Sequence, residues 1–282
     1  MFTTNALTGH TYIIAGIANN KSLAYPIAQM LHAAGAKIVM ISHPMNEKRA
    51  SKIAQELDAA AYYCDVASDE ELERCIAEVS QHAPFAGMLH AIAFSDKDEL
   101  RGEFIDTSRQ NFLRSLDISC FSFVDLARRL RPYFSEGASL LTLSFDASRG
   151  PYPHYNVMGI AKAALEAATM YLANDLGADG VRVNAINASP EDTLSARGIG
   201  NFRLIGDFAE SMSPLGRRAT KEEIATMAMV LLSPLGSGVT GQVIFVDAGS
   251  SVPNMPPARN AGKMATAMSK IAQTANQENT DG

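Results

Sequence analysis

No stretch of this sequence approaches the roughly 20 consecutive apolar residues that cross a bilayer, so no membrane-spanning segment is expected. The opening Met1-Phe2-Thr3-Thr4-Asn5 has no basic n-region and no apolar h-region, which argues against a secretory signal. Cysteine is scarce. Cys64, Cys75 and Cys120 lack metal or redox spacing, and a reducing cytoplasm is the expected location. The six histidines are scattered without ligand spacing, and no metal site is expected. Basic runs and basic–aromatic stripes are missing and the formal net charge is −6, so nothing points to nucleic acid. There is no internal repeat and no linker.

What is present suits one α/β unit. With 282 residues and 47% of them apolar, the chain can build a full core. Strands are predicted at Thr11–Ala15, Lys37–Ser42, Ala60–Tyr63, Gly87–Ala93, Ala138–Phe145, Val181–Ala188 and Val243–Asp247. Helices are predicted at Ser22–Ala34, Asn46–Leu57, Asp69–His82, Phe112–Tyr133, Tyr155–Leu176 and Lys221–Leu232. A polar stretch, Ser95–Glu103, and a mixed segment, Ser189–Arg218, interrupt the alternation. Apolar strands alternating with helices imply a Rossmann-type, doubly wound parallel sheet of about seven strands with helices on both faces. Residues 1–255 read as a single nucleotide-binding and catalytic domain. Periodicity fades from Pro253, and residues 256–282 read as a tail whose polar end, Ile271–Gly282, is expected to be disordered.

In such a sheet the first strand–helix turn is the usual phosphate site. Here it reads Gly16-Ile17-Ala18-Asn19-Asn20-Lys21-Ser22. It is not G-x-G-x-x-G, yet it offers a glycine for the turn and a helix N-terminus, expected to be capped by Ser22, aimed at an anion. Tyr155 and Lys162 are seven apart on a predicted helix, so two turns separate them on one face. A phenol and an ammonium so placed suit catalysis. The cation favours phenolate character, and the phenol can donate to an oxygen gaining charge. An ordinary surface Tyr and Lys would share the spacing.

Several segments then fall into one order: Gly16-Ile17-Ala18-x-x-x-Ser22-Leu23-Ala24-Tyr25, Cys64-Asp65-Val66, Asp117-Ile118-Ser119, Leu141-Thr142-Leu143-Ser144, Tyr155-Asn156-Val157-Met158-Gly159-x-Ala161-Lys162-Ala163, Gly180-Val181-Arg182-Val183-Asn184-Ala185-Ile186 and Gly241-Gln242-Val243-x-x-Val246-Asp247. Over about residues 8–255 the chain resembles the FabI-type enoyl-acyl-carrier-protein reductases, a divergent branch of the short-chain dehydrogenases. The Tyr-x6-Lys spacing is specific to that branch. The resemblance implies reduction of the trans-2 double bond of an acyl thioester on acyl carrier protein, with a nicotinamide cofactor as hydride donor. It assigns Tyr155 to the thioester oxygen and Lys162 to the nicotinamide ribose. Gly16, Ser22 and Leu23 match the pyrophosphate turn, Asp65 and Val66 the adenine edge, Ala91 and Ile92 the segment after strand four, and Thr193 a phosphate contact. Phe94, Phe145, Tyr155, Met158, Ala196 and Phe202 would form the substrate pocket. Leu194 to about Met212 corresponds to the cover over the substrate, although its amphipathic stretch, on sequence alone, reads rather as a plain surface helix. A homotetramer is implied, because helices matching Phe112–Tyr133 and Tyr155–Leu176 pair between subunits in this superfamily.

The chain also departs from the pattern. Phe145 replaces a tyrosine, so a hydroxyl is lost. Pro26 and Ala93 replace glycines, and the Gly-Pro after strand six becomes Ser189-Pro190. Glu191 and Asp192 follow where an apolar and a basic residue are usual. They would oppose an anionic cofactor unless solvated or paired, with Arg197 nearest in sequence. These changes leave two rivals open: an enzyme recruited to polyketide or other natural-product assembly, and a catalytically silent nucleotide-binding regulator. Strand two ends Ile41-Ser42-His43-Pro44, with no acid for a ribose 2′-hydroxyl. Lys48 and Arg49 suit a 2′-phosphate or an exposed helix face. NADH is expected by resemblance, with NADPH open.

Overall fold

The computed structural model describes residues 6–191, 193 and 202–278. Ala196 of the expected pocket, together with Asp192, Leu194 and Arg197, lies outside them. Seven strands, β1 (Thr11–Ala15), β2 (Lys37–Ser42), β3 (Ala60–Tyr63), β4 (Phe85–His90), β5 (Phe134–Phe145), β6 (Arg182–Ala188) and β7 (Val243–Val246), form one sheet in the order β3-β2-β1-β4-β5-β6-β7. Every neighbouring pair is parallel. Such strands need helical crossovers and are buried on both faces, which is why they read as continuous apolar runs.

Helices α1 (Ala24–Ala33), α2 (Glu47–Glu56), α3 (Asp69–Val79), α4 (Arg109–Leu116), α5 (Ser122–Leu130), α6 (Asn156–Leu176), α7 (Phe202–Met212), α8 (Lys221–Leu232) and α9 (Ala261–Glu278) complete the described chain. Strand residues alternate between two cores. Ile14, Met40, Leu89 and Leu141 meet α1, α2 and α8, whereas Ile13, Val39, Met88 and Leu140 meet α3, α5 and α6. The chain reverses direction across the sheet between β1 and β4. That switch point opens a crevice at the carboxyl ends of the strands.

Four expectations need correction. The fourth strand begins at Phe85 and ends at His90, so Ala91–Ala93 leave the sheet. The single helix expected over Phe112–Tyr133 is interrupted by a π-helical turn, Asp117–Phe121, between α4 and α5. Helix α1 starts at Ala24, and Ser22 does not cap it. Its hydroxyl instead accepts the Ala18 and Asn19 N–H groups, each at 3.3 Å. Polar composition predicted no order over Ile271–Gly282, yet α9 runs through Glu278 and packs on α7.

Candidate active site

A cleft of about 590 Å³ opens at the carboxyl ends of the central strands. One wall begins at Gly16. That residue has φ +107°, and an added Cβ would lie 2.4 Å from the Ala91 carbonyl oxygen. Only glycine permits this approach of two backbones. Ser22, Leu23, Ala91, Ile92 and Thr193 line the same cleft. Asp65 and Val66 do not. They follow β3 at the same edge of the sheet, where Asp65 Oδ2 lies 3.7 Å from His43 Nε2.

The other half of the cleft holds Tyr155 and Lys162, both less than a tenth exposed, with Phe94, Phe145, Met158 and Phe202. Tyr155 stands at the N-cap of α6. Gly159, one turn into α6, lets the helix press against the preceding loop, since a Cβ there would meet Ala147 O at 2.8 Å. Burial pushes the Tyr155 phenol well above its ordinary range. It is a neutral donor at physiological pH, as the role of donor to an oxygen gaining charge requires. Burial also lowers Lys162, to about 8, against opposing pulls from Cys120 and Glu166. Its Nζ donates to Leu143 O at 2.8 Å. An ammonium has three donors, so this buried cation retains capacity for a ligand in the cleft.

Phe145 packs between Tyr152 and Tyr155, with ring centroids 5.1 and 5.0 Å away. It keeps the aromatic wall and supplies no hydroxyl. Glu191 lines the cleft beside Pro190, whose carbonyl accepts Arg218 Nη1 at 3.0 Å. Phe202 and Ile205 of α7 join the apolar cluster of Tyr155, Met158 and Phe145. Part of the expected cover is thus a wall of the cleft rather than a plain surface helix.

Sequence reasoning missed several residues. The π turn buries Ser119, whose hydroxyl accepts the Phe94 N–H at 2.9 Å and donates to Phe94 O at 3.1 Å. It pins the segment bearing Phe94, whose ring carries Arg114 at 4.5 Å. Glu166, one turn beyond Lys162, accepts Ser144 Oγ at 2.5 Å, Ser148 Oγ at 2.8 Å and Asn187 Nδ2 at 2.9 Å. That carboxylate fastens the ends of β5 and β6 to α6. The stretch Ser95–Glu103, read only as polar, supplies Asp96, Lys97 and Asp98 to the cleft. Ser119 lies inside Asp117-Ile118-Ser119, so its motif was visible, but a π turn has no sequence signature that would reveal its orientation.

A dinucleotide fits these residues on two grounds. The turn after β1 lines the cleft with Gly16, Ala18 and Ser22 at the carboxyl edge of a parallel sheet, where such folds bind a dinucleotide. Ser189 Oγ, at the cleft, is buried without a partner among the described residues, and such a group normally finds one. Fold and cleft together define a doubly wound dinucleotide-binding protein. The family model described as enoyl-(acyl carrier protein) reductase matches residues 16–251, and the chain belongs to that family. It is 44% identical over 248 residues to an enoyl-[acyl-carrier-protein] reductase [NADH] FabI of Bacillus cereus, covering 86% of this chain and 97% of the relative. It is 46% identical over 246 residues to enoyl-[acyl-carrier-protein] reductase [NADH] 1 of Rhizobium meliloti, covering 86% and 90%. Among solved structures, the Bacillus cereus reductase with NADP+ and indole naphthyridinone superposes with TM-score 0.85 at 42% identity, over 88% of this chain and 99% of that one. The Anaplasma phagocytophilum reductase in complex with NAD gives 0.86 at 40% identity, over 92% and 100%.

Proposed function

We propose that this protein reduces the trans-2 double bond of acyl thioesters carried on acyl carrier protein, using NADH. One observation carries the assignment of roles: the Gly16 turn, Tyr155 and Lys162 share a single cleft at the carboxyl edge of the sheet. NADH, when bound, would supply the hydride for the substrate β-carbon, and a proton from solvent would complete the reduction at the α-carbon. Between these two steps charge develops on the thioester oxygen. Tyr155, held protonated by burial, donates to that oxygen, an interaction stronger in the transition state than in the ground state. Lys162 binds the ribose and adds positive charge in a site where burial keeps water from screening it. Gly16, Ser22, Leu23, Ala91, Ile92 and Thr193 hold the rest of the cofactor, and Asp65 and Val66 its adenine end. Phe94, Phe145, Met158 and Phe202 receive the acyl group. NADH fits relatives named for it, and Lys48 and Arg49 sit exposed on α2 rather than in the cleft.

Two further features belong to this reading. The protein is a homotetramer, supported by apolar side chains left exposed on α6. It is cytoplasmic, supported by three unpaired thiols; among the described residues no helix is long and apolar enough to cross a membrane.

The test follows NADH absorbance as a trans-2-enoyl thioester is added. Wild type oxidises NADH stoichiometrically with substrate. Tyr155→Phe is expected to lower turnover by roughly 10²–10³, the usual loss for one such donor, while NADH affinity, read by fluorescence, stays within about twofold. Unchanged turnover removes Tyr155 from the mechanism.

A further inference from the structure

Helix α7 has two working faces. Phe202, Ile205 and Ala209 turn inward, and the first two meet Tyr155, Met158 and Phe145. Asp207, Glu210 and Ser211 turn toward α9. Spacings of three and four residues put each set on its own stripe. On α9 and the turn before it, Asn260, Lys263, Met264, Ala267 and Lys270 repeat the same spacing. Asn260 is 3% exposed, and its Nδ2 donates to Ser211 O at 3.1 Å and Ser213 O at 2.8 Å. It therefore satisfies carbonyls at the C-terminal end of α7, which have no partners within that helix. Ala267 is 1% exposed. Lys263 Nζ bonds Glu210 at 2.5 Å and Gly216 O at 2.6 Å, and Lys270 Nζ bonds Asp207 at 2.6 Å. The ion pairs are about half exposed and contribute little stability by themselves; they fix the register in which the helices meet. All of α9 lies beyond residue 251, where the family match ends.

We propose that α9 is a positioning element for the acyl end of the substrate, acting through α7 on Phe202 and Ile205, with Asn260 as its anchor. The proposal rests on the reductase reading above. A wall carried on one helix is only as well placed as that helix, and α7 is otherwise tied to the cleft by its apolar stripe and by Arg218 beneath Gly206. Long acyl chains, which reach this wall, feel its position. A four-carbon enoyl group ends near the reacting carbons and does not.

The experiment uses the full chain with Asn260→Ala, Lys270→Asp and the charge swap Asp207→Lys/Lys270→Asp. In Asn260→Ala, amide exchange in α7 is expected to speed up about tenfold or more relative to α8. KM for a dodecenoyl thioester should rise about fivefold, while KM for a crotonyl thioester, kcat and NADH affinity stay within about twofold. Lys270→Asp moves the same two readouts, and the swap restores both. Faster α7 exchange with an unchanged dodecenoyl KM would reduce α9 to a stability element and overturn the proposal. So would equal KM changes for both chain lengths. If Asn260→Ala does not fold, Lys270→Asp and its swap decide on the same measurements. If wild type reduces no enoyl thioester, the reductase reading falls instead. Protection of α7 by saturated dodecanoyl thioester, lost on Lys270→Asp and regained in the swap, then still tests the positioning role; no such difference ends it.

Discussion

Burial sets the Lys162 pKa at about 8, below the ordinary 10.5 of a lysine, so its charge is lost within an accessible pH range. The free protein holds the ammonium below that pH and the neutral amine above it. A bound anionic cofactor favours the charged form, so binding takes up a proton above pH 8 and affinity must fall there. NADH affinity is therefore expected to be flat below about pH 7.5 and to weaken by up to roughly tenfold per unit above about 8.5. Lys162→Ala should bind more weakly at neutral pH and lose the slope. A fluorescence titration across this range checks it; an identical slope in the variant would assign the titration to another group. Tyr155 and Lys162 were legible because helical geometry converts a spacing of seven into a shared face. Glu166 was not, since its partners Ser144, Ser148 and Asn187 come from segments that only the folded sheet brings together. Nor was the burial of Tyr155, which raises its pKa, because the folded cleft alone sets it.

At the level of elements, His90 joins three. It ends β4, its Nδ1 pairs with Thr142 Oγ1 of β5 at 2.9 Å, and its Nε2 pairs with Ser122 Oγ of α5 at 2.8 Å. The ring is fully buried, and burial with the nearby Lys162 charge lowers its pKa from 6.5 to about 3. The folded state thus keeps His90 neutral where the unfolded chain protonates it. Stability from this group is present above pH 6.5 and is lost as pH falls toward 3, at about 1.4 kcal/mol per pH unit. Between about pH 6.5 and 5, before most carboxylates titrate, denaturant melts should lose about 1.5–2 kcal/mol. His90→Gln should flatten that window; the same slope in the variant would exclude His90 as its source. Strand positions were legible because strands buried on both faces are continuous apolar runs. Their ends were less so, since chain leaving the sheet after His90 stays just as apolar. The break between α4 and α5 was hidden because a π turn preserves helical hydrophobicity while rotating the helical residues beyond it.

For the whole molecule, α/β alternation made the fold class readable, but the strand order, and hence the crevice between β1 and β4, came only from the assembled sheet. The place of α9 was hidden for a related reason. Its stripe of small and polar residues has meaning only opposite α7. Helix α6 poses the remaining question, because it exposes large apolar side chains on its outer side. Its inner side, Val157, Ala161 and Leu165, is buried, while Ile160, Met170 and Tyr171 are 42%, 54% and 74% exposed. Ala164 and Ala167, between Ile160 and Tyr171 on the outer face, leave room for another helix to approach. Large apolar side chains on a helix face favour an interior, and the proposed tetramer would bury this outer side against another chain. Each large side chain covered there would contribute about 1.5–3 kcal/mol, against which an introduced carboxylate would carry a heavy desolvation cost. Wild type is expected to sediment as a tetramer. Ile160→Glu with Tyr171→Glu should dissociate it to smaller species, and since the same helix carries Tyr155 and Lys162, activity should fall with it. A monomeric wild type, or a double variant that sediments unchanged, would rule α6 out as the subunit interface.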